Sequence, residues 1–196
     1  SPSSLAVAML QTLMQLSLIF AYRGIFPFGQ ESFLRTDMYH QYAPFFSEFR
    51  HKLLSGESLL YSWDVGMGVN FAALYAYYLA SPFNWLLIFC PSSLIIEFMT
   101  YMIVFKSGLA GLSMAWYLKK HTGSQKFGAC YFGVFYALSG YMAAYSWNIM
   151  WLDCIFLLPL ILYGLEQLVQ EKKGLFYCVT LGLSILSNYY ISIMIC

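Results

Sequence analysis

Charged side chains are scarce in this chain. Asp, Glu, Lys and Arg make up 10% of the 196 residues, against roughly 25% in an average globular domain. This low share argues against a soluble domain. Lys and Arg together number 10 and Asp and Glu number 9, which leaves a net charge of +1. Such a balance provides no basic field for a nucleic-acid backbone, so a nucleic-acid partner is excluded.

Several motifs of metal and nucleophilic chemistry are also missing. The five cysteines form no Cys-x-x-Cys pair, and four of them lie in apolar runs, so neither a disulfide framework nor a zinc site is predicted. No Gly-x-Ser-x-Gly nucleophile elbow occurs. The glycine-rich string 66–70 lacks the Lys of a phosphate-binding loop and is interpreted as a turn. The cysteine spacing and the absence of these motifs therefore predict no metal site, and no cofactor is assigned.

Apolar residues dominate instead. They make up 60% of the chain, aromatic residues 20%, and the mean hydropathy is +0.64. A helix needs about 20 apolar residues to cross a bilayer core of roughly 30 Å. Five runs are predicted to span: 5–22, 94–118, 127–146, 154–169 and 175–196. We therefore expect an all-α, polytopic bundle in the cell membrane. Because the chain begins without Met and stops inside an apolar run, we interpret residues 1–196 as the N-terminal part of a longer membrane domain.

The short loops between these runs predict the orientation. Lysines concentrate in two of them: Lys119, Lys120 and Lys126 follow the second run, and Lys172 and Lys173 follow the fourth. Because short loops rich in Lys and Arg stay in the cytoplasm, both loops and the N-terminus are predicted to be cytoplasmic. The long loop 23–93 and the Trp-rich hairpin 147–153 then face the outside of the cell.

Loop 23–93 is too long for a simple connector and is predicted to contain helices of its own. From Tyr42 onward apolar residues recur at helical spacing with charged residues, including Lys52, between them, and Gly56 follows as a stop. This pattern predicts a helix lying on the membrane surface. The apolar stretches 71–79 and 83–90 each end at a proline and are too short to span alone. We expect them to be re-entrant or interfacial.

Short motifs spread along the chain resemble the bacterial YfhO family of membrane proteins. They are 24–29 (Gly-Ile-Phe-Pro-Phe-Gly), 36–42 (Thr-Asp-Met-Tyr-His-Gln-Tyr), 61–64 (Tyr-Ser-Trp-Asp) with Gly66 and Gly68, 77–84 (Tyr-Tyr-Leu-Ala-Ser-Pro-Phe-Asn), 106–111 (Lys-Ser-Gly-Leu-Ala-Gly), 136–141 (Tyr-Ala-Leu-Ser-Gly-Tyr), 148–153 (Asn-Ile-Met-Trp-Leu-Asp) and 187–190 (Ser-Asn-Tyr-Tyr). The resemblance implies a C-type glycosyltransferase architecture. It further implies an enzyme that takes a sugar from a polyprenyl-phosphate carrier and adds it, outside the membrane, to a surface polymer such as lipoteichoic acid.

Asp37 is the candidate catalytic base. Sugar transfer from a lipid phosphate needs a group that accepts the proton of the acceptor hydroxyl and a positive group that steadies the departing phosphate. Asp37 follows the first predicted span closely, where the resemblance places the acidic residue of the first outer loop. An alternative role, compatible with catalysis, is to N-cap a helix beginning near Met38. A divalent cation bound near this carboxylate is left open.

Asp153 is the second catalytic candidate. It ends the Trp-rich hairpin, so the predicted topology places it in the same outer compartment as Asp37, where the two carboxylates are able to share one site. The alternative is a carboxylate that is stabilised by the helix dipole at the start of the fourth span. Asp64 stands beside the turn at Gly66 and is interpreted as structural.

Residues that are expected to bind substrate are Arg35, His40, Gln41, Trp63, Lys106 and Trp151. Arg35 and His40 flank Asp37 and suit the carrier phosphate, with a solvated surface role as the alternative for Arg35. The two tryptophans suit sugar stacking or an aromatic girdle at the membrane interface, and we favour the girdle.

Lys106 lies near the middle of the second predicted span, where an ionisable group needs a partner or water. A lipid phosphate would satisfy it, and so would a carboxylate on another span, such as Glu166. Glu97, nine positions away, lies on the opposite face of the helix and is a poor partner.

Two functions of other classes remain open. Charged groups such as Lys106 and Glu97 within or near one apolar span also suit a transporter or lipid flippase. An inverted repeat would support that function, and none is visible in the sequence. A non-catalytic assembly factor, whose aromatic outer loop binds another membrane protein, is the third hypothesis.

Overall fold

The computed structural model describes residues 2–34, 37–123 and 127–196. Helices dominate it, and the only sheet in these ranges is a two-stranded antiparallel ribbon. The α-helices are α1 (Pro2–Tyr22), α2 (Ala43–Ser55), α3 (Phe71–Leu74), α4 (Ile95–Thr122), α5 (Gly128–Ala137), α6 (Gly140–Tyr145), α7 (Leu152–Glu171), α8 (Leu175–Ser187) and α9 (Tyr189–Ile195). Two π-helical turns (Met38–Tyr42 and Tyr75–Leu79), two 3-10 helices (Pro82–Phe89 and Ser92–Leu94) and the strands β1 (Tyr61–Ser62) and β2 (Val69–Asn70) complete the described elements. This architecture confirms the predicted all-α membrane fold.

Three helices of the described part are long and apolar enough to cross a membrane: Leu5–Tyr22, Ser92–Thr122 and Leu152–Glu171. They correspond to the first, second and fourth predicted runs. A fourth candidate is a bent pair of short helices, Phe71–Leu79 and Pro82–Phe89, which meet at an angle of 104°. We call these two helices the bent pair. Its shape agrees with the short, proline-limited helices expected in the outer loop.

The third and fifth predicted runs are each divided in two. Run 127–146 forms α5 and α6, which are separated at Leu138 and Ser139, where Ser139 adopts an extended conformation. The ten residues of α5 reach only about 15 Å at 1.5 Å per residue, about half of a bilayer core. Run 175–196 is interrupted at Asn188, which is also extended. Apolar composition alone did not reveal these breaks, because each is made by one or two residues.

Helix α4 lies at the centre of the bundle and packs against α1, α5 and α7. Glycines permit the close approach of its neighbours. A Cβ atom on Gly108 would stand 2.9 Å from the Leu13 side chain of α1, and one on Gly111 would stand 2.8 Å from Thr12 Oγ1. Small residues therefore allow the neighbouring helices to pack closely against this part of α4.

The described residues between α1 and α4 pack on this bundle as a second, aromatic-rich layer, which we call the outer layer. Helix α2 ends at Gly56, whose φ of 71° is the left-handed conformation that glycine adopts readily, as the sequence predicts. Phe46 and Phe49 of α2 are fully buried. Lys52 was expected on the polar face, but it is buried and binds Glu48, Glu57 and the carbonyl of Tyr61. The folded loop covers that face of α2, because the β1–β2 ribbon lies beside it.

Contact between α4 and α5 depends on a third glycine, Gly133 of α5. A Cβ atom there would stand 2.5 Å from the carbonyl oxygen of Gly111 and 2.9 Å from Cβ of Ala115. Gly133→Ala is therefore expected to push the two helices apart and to lower the free energy of unfolding by about 1–3 kcal/mol. Thermal unfolding of the purified protein in detergent, followed by tryptophan fluorescence, measures this loss.

The matched control is Gly182→Ala in α8, where an added Cβ meets nothing within 4 Å. This control is expected to keep the melting temperature of the parent protein. A Gly133→Ala protein as stable as the parent would contradict the close contact between α4 and α5.

Candidate functional site

Asp37 stands at the start of the π-helical turn Met38–Tyr42, with its side chain exposed. The helix begins where the sequence predicts, but the Asp37 side chain makes no capping hydrogen bond. No cation of the described residues lies within ion-pair distance of it. The capping alternative is therefore not realised, and the carboxylate is open to solvent.

A polar cluster lies beside this carboxylate, one helical turn further along the chain. The Tyr42 hydroxyl donates to Asn148 Oδ1 at 3.0 Å, and the Tyr78 hydroxyl donates to Gln41 Oε1 at 3.4 Å. The rings of Tyr42 and Tyr78 lie 5.6 Å apart. Gln41, a predicted substrate-binding residue, is thus in the same cluster as residues from the bent pair and the Trp-rich hairpin.

Burial raises the pKa of Tyr42 above its ordinary value, and the nearby Asp37 carboxylate raises it further. Both influences disfavour the phenolate, since one removes water and the other repels a second negative charge. Tyr42 therefore stays a neutral hydroxyl donor through the physiological pH range. A stable donor at this position keeps the turn that carries Asp37 tied to Asn148.

His40 faces a neighbouring cleft rather than the polar cluster. This open cleft is lined by His40, Ser47, Glu48 and Asp64, with Phe45 as an apolar wall. The Glu48 carboxylate accepts a hydrogen bond from Ser62 Oγ at 2.5 Å. The fold thus brings His40, a predicted substrate-binding residue, to one polar surface with Asp64, which was interpreted from the sequence as structural.

The tryptophans occupy different environments. Trp63 is 76% exposed and contacts the Tyr61 ring edge-on at 4.9 Å. Trp151 is partly buried, and its Nε1 has no hydrogen-bond partner among the described residues. Arg35 lies outside the described residues, so its predicted role stays a prediction.

Lys106 and Asp153 form a buried ion pair in the core, with 2.5 Å between Nζ and Oδ2. Their side chains are 0% and 1% exposed, respectively. The Asp153 side chain is therefore closed off from solvent and does not share an open site with Asp37, contrary to the expectation from the sequence. The reason is the long α4, which brings Lys106 to the first turn of α7, where Asp153 lies.

Two further hydrogen bonds extend this ion pair toward the outer layer. Lys106 Nζ also donates to the carbonyl of Ile149 at 3.3 Å, and Ser81 Oγ donates to Asp153 Oδ1 at 2.8 Å. Ser81 lies at the bend of the bent pair, and Ile149 follows Asn148 in the hairpin. The ion pair therefore holds the two segments that contribute Tyr78 and Asn148 to the cluster near Asp37.

Glu166, the suggested partner of Lys106, has other partners. It accepts a hydrogen bond from the Tyr117 hydroxyl at 2.7 Å and lies 2.7 Å from Nδ1 of His121. Both of these residues belong to the last turns of α4. Glu166 is thus near the far end of α4, more than two turns away from Lys106.

Metal ligands do not gather anywhere in the described part of the chain: no three His, Cys, Asp or Glu side chains there are placed to hold an ion. The divalent cation left open by the sequence near Asp37 therefore gains no support from neighbouring carboxylates.

Four residues of the site were not singled out from the sequence: Tyr42, Tyr78, Ser81 and Asn148. Each lies within a motif that resembles the family, but its role depends on partners far along the chain, such as the 106 positions between Tyr42 and Asn148. One local signal was available. Asn148 is a polar residue between two tryptophans in an apolar hairpin, and such a residue needs a partner.

Removing either member of the ion pair is expected to destabilise the protein strongly. Lys106→Met or Asp153→Asn leaves a buried group without its partner, which costs about 3–5 kcal/mol in comparable sites. The double variant Lys106→Met/Asp153→Leu is expected to lose less than the sum of the two single variants. Unfolding in detergent, analysed as a double-mutant cycle, measures the coupling.

The control is the exposed pair of Lys173 and Glu171, 2.8 Å apart, where Lys173→Gln is expected to leave the unfolding transition unchanged. If the losses of unfolding free energy in the double-mutant cycle are additive, Lys106 and Asp153 are not a coupled pair.

Comparison with known proteins agrees with the resemblance in the motifs. The family model described as "Bacterial membrane protein YfhO" matches residues 8–196. No curated protein and no solved structure gave a significant match. The match covers nearly the whole chain and includes the helical bundle, the outer loop and the cluster near Asp37. The chain therefore belongs to the YfhO family of bacterial membrane proteins.

Proposed function

We propose that the protein is a membrane glycosyltransferase that moves a sugar from a polyprenyl-phosphate carrier to a cell-surface polymer such as lipoteichoic acid. The observation that carries this proposal is the exposed carboxylate of Asp37, which makes no capping hydrogen bond and lies on the outer layer of a YfhO-family membrane protein. In the proposed topology this layer faces outside, where such an acceptor is located.

Asp37 acts in this proposal as the general base. The acceptor hydroxyl attacks the anomeric carbon of the sugar, Asp37 accepts the proton of that hydroxyl, and the polyprenyl phosphate departs with the electron pair of the broken C–O bond. A carboxylate in water is a suitable base for this step because the proton is transferred as the new bond forms. The Tyr42–Asn148 hydrogen bond of 3.0 Å supports the orientation of the turn that carries Asp37.

His40 and Asp64 suit the sugar acceptor in this proposal. Their cleft combines charged and hydroxyl groups with the ring of Phe45, and sugars bind through hydrogen bonds together with stacking on aromatic rings. Lys106 and Asp153 have a positioning role here, because each is the other's partner in the interior.

The same ion pair weakens the case for a transporter. That hypothesis was motivated by Lys106 as a charge lining a translocation path. In the structure Lys106 contacts Asp153 and the Ile149 carbonyl in a packed core with no exposed surface. No specific observation therefore favours transport over sugar transfer.

Asp37→Asn is expected to lower the rate of sugar transfer by about 10²–10⁴-fold, the usual contribution of a general base. The measurement is transfer of a radiolabelled sugar from a polyprenyl-phosphate donor by membranes that contain the full-length protein. The amounts of parent and variant protein in the membrane are matched by immunoblot.

Asp64→Asn is the matched control, since Asp64 is also an exposed carboxylate of the outer loop. Loss of the Asp64 carboxylate is expected to change the affinity for the acceptor and to have at most a small effect on the maximal rate of sugar transfer. Transfer by Asp37→Asn at the parent rate would refute the role of Asp37 as base. Absence of sugar transfer by the parent protein would refute the proposed function.

The proposed orientation predicts which residues react from outside the cell. Tyr39 is 64% exposed on the outer layer, and Lys120 is exposed near the opposite end of α4. In a background whose five native cysteines are replaced by Ser or Ala, Tyr39→Cys is expected to react with a membrane-impermeant maleimide on intact cells. Lys120→Cys is expected to react only after the cells are permeabilised. The reverse pattern would place the Asp37 turn in the cytoplasm.

A further inference from the structure

A second cavity lies in the bundle, and the Trp-rich hairpin contributes Trp147 to its lining. Its volume is about 210 Å³. Helices α1, α4, α5 and α6 and the hairpin enclose it, and its lining includes Leu16, Phe20, Ile103, Met142 and Trp147. We call it the α1 cavity.

The α1 cavity is large enough for hydrocarbon. An engineered apolar cavity of about 150 Å³ already accepts benzene, so 210 Å³ accommodates several methylene groups of a lipid chain. The two serines at its wall and rim, Ser107 and Ser146, do not make it polar. Ser107 Oγ already donates to the carbonyl of Ile103 at 2.8 Å. Most of the lining therefore offers only apolar contacts.

One cation, Arg23, also lines this cavity. Its residue is exposed, so the guanidinium is at an opening of the cavity. Glu31 shares a neighbouring cleft with Arg23, but no carboxylate of the described residues is within ion-pair distance of the guanidinium. A guanidinium without a carboxylate partner is well suited to a phosphate group, which it binds through two parallel hydrogen bonds.

The ionisable side chains of the lining limit the chemistry of this cavity. Arg23 is the only ionisable side chain among the described residues that line the cavity, so the site has a group to bind a phosphate but no base or acid to react with a lipid-borne sugar. Helix α1 is the least covered candidate span, with 17% of its apolar window buried in the protein. Leu16, Ile19 and Phe20 of this exposed helix line the cavity.

We infer that the α1 cavity binds an anionic glycerophospholipid of the surrounding bilayer. One acyl chain enters the cavity beside Phe20 and Met142, and the phosphodiester group accepts hydrogen bonds from Arg23. This lipid is a resident ligand that fills the space between α1 and the hairpin. The inference is independent of sugar transfer, because no residue assigned to that reaction lines the cavity.

Native mass spectrometry of the purified full-length protein in detergent tests this site. The probes are phosphatidylglycerol, diacylglycerol with the same chains, a polyprenyl phosphate and inorganic phosphate. Phosphatidylglycerol is expected to bind at least about tenfold more tightly than diacylglycerol, since only the former carries the phosphate that Arg23 binds. Arg23→Gln is expected to remove that preference, and Ala143→Phe, which fills the cavity, is expected to weaken binding of both glycerolipids.

Each variant has a matched control. Lys172→Gln removes an exposed cation far along the chain, and Ala21→Phe adds a ring at an exposed position of α1 that does not line the cavity. Both controls are expected to bind phosphatidylglycerol like the parent. Ala144→Leu, a smaller filling at another exposed lining residue, is a second test in case Ala143→Phe lowers the melting temperature.

Three results would overturn the inference. The first is unchanged phosphatidylglycerol binding by Arg23→Gln or by both filling variants. The second is polyprenyl phosphate binding that is more than tenfold tighter than that of phosphatidylglycerol and is lost in Arg23→Gln, which would make the cavity a carrier site. The third is displacement of the lipid by inorganic phosphate at equal concentration. The acyl chain would then contribute nothing to the binding affinity.

Discussion

The ion pair between Lys106 and Asp153 is the interaction on which the outer layer depends. A charge in an apolar bundle is stable only when its partner and the remaining hydrogen-bonding groups are in place. Here the remaining groups are the Ile149 carbonyl and the Ser81 hydroxyl. Each belongs to a segment that has no long helix of its own to hold it. The requirement to satisfy two buried charges thus fixes the position of two irregular segments.

This arrangement also supports the turn that carries Asp37, although the ion pair does not contact that turn. The turn is held by the Tyr42 hydroxyl on Asn148, the residue before Ile149. The Tyr78 ring, which packs against Tyr42, belongs to the bent pair that Ser81 anchors. The proposed role of Asp37 as a base needs such support, because loops without it sample many conformations. The buried pair and the exposed carboxylate are therefore parts of one arrangement, although they do not contact each other.

The hairpin between α6 and α7 contributes to two chemically different surfaces. Asn148 contributes to the polar cluster beside Asp37, whereas its neighbour Trp147 lines the apolar α1 cavity. Successive side chains of an irregular segment can face different directions, so one short hairpin contributes residues to both surfaces. The polar surface is suited to sugars and hydroxyl groups, and the apolar one to a lipid chain.

Apolar run length and helical periodicity are properties of the sequence alone. They were sufficient to predict the membrane class, the long apolar helices α1, α4 and α7, and helix α2 with its stop at Gly56. These features depend on neighbouring residues and on the length that a bilayer demands. The sequence also marked Asp37, Lys106 and Asp153 as residues that require an explanation. It did not show that Lys106 and Asp153 pair with each other, that Lys52 is buried, or that the run 127–146 is broken at Ser139. Those outcomes were decided by the tertiary structure. A charged residue in an apolar run needs a partner, but its sequence does not specify which of several distant residues the fold will bring within hydrogen-bond distance.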